Sequence, residues 1–65
     1  MDREPQPRDI VIMPDAPADE LESVLSVTDG WVYLRGLFSR DCTRAVALPP
    51  LESIQHAGYL SSRLV

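Results

Sequence analysis

The stretch PDAPADELESVLSVTDG, Pro14 to Gly30, decides the fold class, because every other candidate element of the chain is short. Its spacing predicts a helix over PDAPADELESVLS. Asp15 is a capping residue, and Pro17 suits a first turn. Asp19, Glu20 and Glu22 fall where a helix dipole favours negative charge. Leu21, Val24 and Leu25 stand at i, i+3 and i+4, a narrow apolar stripe that Ala18 and Thr28 extend. Asp29-Gly30 then ends the element and turns the chain.

Upstream, residues 1–8 contain Pro5 and Pro7 and lack apolar periodicity, so they read as a flexible arm ahead of one small domain over residues 9–65. Asp9–Met13 (DIVIM) is a β-rich run stopped by Pro14. Its consecutive hydrophobes suggest an interior strand covered on both faces. Downstream, GWVYLRGLFSRDCTRAVALPP reads as a hairpin around Ser39-Arg40-Asp41. In that register Phe38 opposes Cys42, Leu34 opposes Val46 and Val32 opposes Leu48, forming an apolar face interrupted by Gly36 and Arg44. A shift of one residue would scatter the apolar set over both faces. Pro50 opens a short second helix, LESIQHA, that Gly58 closes. Tyr59–Val65 alternates as a last strand; a helix running on through Gly58 is the competing reading, at a cost of about 1 kcal/mol for the glycine.

The resulting order is β-α-β-β-α-β, an α+β two-layer pattern of the split βαβ (ferredoxin-like) type, with both helices on one face of an antiparallel sheet. Ile10, Ile12, Val32, Leu34, Phe38, Val46, Leu48, Leu60 and Leu64 would meet the helices, with Leu51 and Ile54 from the second one.

Composition removes several functions. A chain of 65 residues buries only about 60% of its unfolded surface, and its single cysteine, Cys42, permits no internal disulfide. One cysteine and one histidine, His56, do not complete a tetrahedral metal site, so no metal or other cofactor is expected. All six basic residues are arginine, which excludes Schiff-base and P-loop lysine chemistry. Gly30, Gly36 and Gly58 are isolated and form no phosphate loop. Cys42 with His56 is a conceivable nucleophile–base pair. The expectation is instead that Cys42 packs in the core and His56 sits at a helix end, so the chain is read as no enzyme. No apolar run approaches the roughly 20 residues of a membrane span. The charged, proline-rich start lacks a signal segment, which points to the cytoplasm.

Charge is uneven. Residues 1–30 hold eight acids against Arg3 and Arg8, giving −6, while Asp41 and Glu52 against four arginines give +2 over residues 31–65. A sheet covered on one side leaves its second face open. That face is expected to show Val11, Met13, Trp31, Tyr33, Arg35, Leu37, Ala45, Ala47, Tyr59 and Arg63. Trp, Tyr and Arg are enriched at binding hot spots. Trp31, Tyr33, Arg35, Leu37, Tyr59 and Arg63 are therefore the candidate partner-binding residues. They imply a protein-interaction module: a homodimer, or a small adaptor or inhibitor, such as phages and mobile elements carry, docked on a larger protein. The alternative is a regulator stacking single-stranded nucleic acid on the same aromatics. The net charge of −4 and the absence of a basic cluster weigh against it. A small-molecule sensor between dimer subunits rests on the fold analogy alone.

Overall fold

The stretch from Pro14 to Gly30 forms no helix. In a computed structural model, which describes residues 1–38 and 42–61, it is a connection followed by a strand. The strands are β1 (Asp9–Ile12), β2 (Glu22–Thr28), β3 (Trp31–Gly36), β4 (Thr43–Ala47) and β5 (Gln55–Tyr59). They form one sheet in the order β4-β3-β2-β1-β5, and every pairing is antiparallel. The only helical element among the described residues is a single 3₁₀ turn, Leu51–Ser53. The α+β reading is thereby corrected to an all-β sheet.

Two local features explain the correction. Asp29 and Gly30 both have positive φ, 52° and 79°. That is the two-residue mirror-image turn favoured by Asp-Gly, and it folds β3 directly back on β2 with Thr28 opposite Trp31. The second feature is a bulge in β2. Val24 pairs with Leu34 and Ser26 with Tyr33, so Leu25 is an extra residue and the register shifts there. The bulge lets Val24 and Val27, three residues apart, share the inner face: Val24 is buried and Val27 packs against the core. A strand with a bulge thus reproduces the i, i+3 spacing of a helix. Val24, Val27 and Thr28 are β-branched, and a helix of this length is marginal in water on its own, so pairing with β1 and β3 prevails.

The second predicted helix is likewise replaced. Leu51–Ser53 makes one turn, with the Ser53 and Ile54 amides donating to Pro50 and Leu51, and Gln55 already belongs to β5. Of the predicted last strand, Tyr59 ends β5, and Leu64 lies outside the described residues, as does Ser39-Arg40-Asp41.

The inner face of the sheet carries Val11, Val24, Val32 and Leu34, all buried; Met13 and Ile54 complete the core. Met1, Leu48 and Leu51 pack against it from outside the strands. Connecting segments therefore close the face that two helices were expected to cover. In β1 the faces are exchanged relative to expectation. Val11 and Met13 are buried, while Ile10 and Ile12 are only half-buried on the other side. Successive hydrophobes carry no alternation, so the sequence left this parity open. The β3–β4 faces agree with the sequence reading, but the register is displaced by two residues. Val32 pairs with Val46 and Leu34 with Arg44. A displacement of two preserves the faces and lengthens the connection. Phe38, expected in the core, is consequently 69% exposed, and Cys42 is exposed as well.

Candidate functional site: the open face and free edge of the sheet

Alternation along β3 directs Trp31, Tyr33 and Arg35 away from the core. Trp31 is 48% and Tyr33 42% exposed, whereas the intervening Val32 and Leu34 are fully buried. Their ladder neighbours are small. Trp31 lies between Thr28 and Ala47, and Tyr33 between Ser26 and Ala45. The rings therefore stand above a floor of methyl and hydroxyl groups, with exposed Leu25 from the bulge beside them. The strand residues that share this side by register, on β5 Gln55 and Gly58 and on the other strands Ile10, Ile12, Ser23, Ser26, Thr28, Thr43, Ala45 and Ala47, include no carboxylate.

The sheet ends in two dissimilar edges. On β5 the register slips between Gly58 and His56, so Ala57 bulges out. On β4 the ladder is regular from Thr43 to Ala47. The amide of Leu48 donates to Gly30 and that of Gly36 to Cys42, at 2.8 and 3.0 Å. These bonds make the even-numbered β4 residues, Arg44 and Val46, the ones bonded to β3. The N–H and C=O groups of Thr43, Ala45 and Ala47 accordingly point off the sheet.

The acids are gathered elsewhere, in two ion-paired clusters. Arg44, on the inner face, holds Glu22 with Nε and Nη2, both at 2.8 Å, and Asp15 with Nη1 and Nη2 at 2.7 and 2.9 Å. Gly36 stands opposite Glu22 in the ladder and puts no side chain in the way. The bonds to Glu22 and then Asp15 raise the Arg44 pKa far above its ordinary value. Asp15 thus clamps an arginine instead of capping a helix. In the second cluster, fully buried Asp9 accepts from Arg3 at 2.8 and 3.1 Å and from the Gln6 amide at 2.8 Å. His56 Nε2 lies 3.1 Å from its Oδ1. The Arg3 bonds, helped by the Gln6 amide, hold the Asp9 carboxyl at about 2 despite its burial.

A cleft of about 560 Å³ lies where the open face meets the N-terminal segment. Arg8, Leu25, Arg35, Leu37, Phe38 and Leu60 are among its walls. Arg8 has φ 75°, an uncommon conformation for a side-chain-bearing residue, fixed by bonds from its amide to Val24 and from the Leu60 amide to its carbonyl. Its guanidinium lies 5.6 Å from the Tyr59 ring centre.

The candidate binding residues are therefore distributed. Trp31, Tyr33 and Arg35 stand in one row, and Leu37 lies half-buried in the adjoining cleft. Tyr59 is 58% exposed on the far edge strand, opposite Asp9 in the ladder. Arg63 lies outside the described residues. Val11 and Met13, also expected on the open face, belong to the core. Cys42 leads into β4 while His56 sits on β5, and these are the two opposite edge strands. His56 faces Asp9, in a strand and not at a helix end. Leu25, read from the sequence as a core-facing helix residue, and the β4 edge were not placed at the candidate site by the sequence. The Asp-Gly turn was the local signal that would have exposed both, since it makes residues 22–28 a strand.

Among the described residues, no group of three or more His, Cys, Asp or Glu side chains is placed to hold a metal ion, and no helix is long and apolar enough to cross a membrane. Comparisons with protein-family models, curated proteins and solved structures gave no match.

Proposed function

We propose that this chain is a non-enzymatic interaction module that docks on another protein through the Trp31–Tyr33–Arg35 face. The observation that carries this reading is the exposure of two large aromatics, side by side, on a face whose strand residues include no carboxylate. Rings standing above small neighbours expose area that a partner can bury with little rearrangement. Such anchors supply most of the energy at protein interfaces. The flanking Leu25 and the Leu37 cleft extend the apolar area, and Arg35 supplies a directional polar contact at its border.

The test compares the intact protein with a Trp31→Ala/Tyr33→Ala variant as bait in extract from the source cells. A protein partner retained by the first and lost by the second, with an unchanged circular-dichroism spectrum, supports the reading. Equal retention by both would overturn it. Titration with a single-stranded oligonucleotide, followed by the fluorescence of Trp31, serves as the counter-test. Salt-sensitive quenching there would assign the face to nucleic acid instead.

A further inference from the structure

The edge of β4 has a use distinct from that of the open face. We infer that two copies of this chain join through antiparallel pairing of β4 with β4, centred on Ala45, to form one continuous sheet. The unpaired backbone groups of this edge are self-complementary. Thr43, Ala45 and Ala47 point their N–H and C=O groups outward, as the bonds of Leu48 and Gly36 establish. A two-fold axis at Ala45 sets Thr43 of one copy opposite Ala47 of the other and Ala45 opposite itself. Each pair then exchanges both backbone hydrogen bonds.

Among the described residues, the devices that normally blunt an edge are missing from β4. β4 carries no bulge, no proline and no outward-pointing charge, whereas β5 carries a bulge. The inward charge, Arg44, is already paired within its own copy with Glu22 and Asp15. In the paired sheet its aliphatic stem would lie beside partly buried Val46 of the second copy and cover what remains exposed of it. The outer side is equally compatible. The row Trp31, Ala47, Thr43, Arg35 would cross the junction, its last two residues coming from the other copy. Its ends are three strand spacings apart, about 14 Å. Only the small side chains of Ala47 and Thr43 lie between them in that row, so the outer side offers no steric obstacle to the junction. The described strand residues of the open face include no carboxylate to oppose the approach of two chains of net charge −4. A sheet this small also gains most from added partners.

Sedimentation equilibrium of the full chain from micromolar to millimolar concentration, with amide hydrogen exchange, tests the inference. The expected result is a dimer in which the Thr43, Ala45 and Ala47 amides become protected as concentration rises, while those of Arg44 and Val46 are protected throughout. Ala45→Pro removes only an outward donor and should weaken association about tenfold or more with the fold unchanged. Tyr33→Ala should still dimerise, which separates this edge from the docking face. A wild-type monomer at all concentrations would overturn the inference. So would a folded Ala45→Pro variant associating as tightly as wild type, or a folded Tyr33→Ala variant that is monomeric. Should Ala45→Pro unfold, exchange decides: rapid exchange at Ala45 and Ala47 in the wild-type dimer rules the edge out.

Discussion

The two faces of this sheet treat the same problem in opposite ways. The inner face buries Glu22 and Asp9 along with its aliphatic core, and each is held by an arginine. Glu22 is 2% exposed and held by Arg44, and fully buried Asp9 is held by Arg3 and the Gln6 amide. The outer face exposes two large aromatic rings, and its described strand residues include no carboxylate. A buried charge without a partner costs several kcal/mol, whereas an exposed ring costs the isolated chain little. The inner face is therefore constrained by stability. The outer face has room to be shaped by binding.

Substitutions should reveal that contrast as a gradient. Leu34→Ala, at a fully buried position, should cost about 3 kcal/mol and leave little folded protein, as read by urea denaturation. Arg44→Met keeps the stem but strands the Glu22 carboxylate. A loss of about 2 kcal/mol is expected, below the fully buried case because Arg44 is partly exposed. If Arg44→Met proves neutral, the clamp contributes nothing and the contrast between the faces fails. Acid should act next. Asp9 has its carboxyl lowered from the ordinary 3.8 to about 2, so the folded state favours the ionised form. That stabilisation is complete above the unfolded value and is lost as pH falls from about 4 through 2. It amounts to about 1 kcal/mol, since Arg3 is half exposed and screened by water. Asp9→Asn should flatten this part of the stability–pH curve in urea titrations at stepped pH. Trp31→Ala should change stability by about 0.5 kcal/mol while removing partner binding, the reverse of Leu34→Ala. Smallest of all, Cys42→Ser should leave the melting temperature unchanged, and the native thiol should react with a maleimide as fast as a free peptide thiol does.

How far this was legible from the sequence differs between neighbouring strands. Along β3 and β4 strict alternation placed Val32, Leu34, Val46 and Leu48 inside and Trp31, Tyr33 and Arg35 outside, although the hairpin register moved by two residues. Along β2 the extra residue Leu25 broke the alternation and produced a helical spacing, so the stretch that decides the fold was misread. The Asp29-Gly30 turn carried the contrary signal. In β1, three successive hydrophobes left the parity to be set by pairing with β2 and β5.

By itself the sequence determined what depends on residue type and on spacing of two: that the chain has no lysine and no second cysteine for an internal disulfide, and the two faces of the β3–β4 hairpin. Only the tertiary structure decided the all-β fold, the interior position of Val11 and Met13, the surface position of Cys42 and Phe38, and the β4 edge. The physical reason is that ladder partners are chosen between residues far apart in the chain. A bulge shifts every later residue of a strand to the other face, and the partner of Arg44 is found only once β2, β3 and β4 lie side by side.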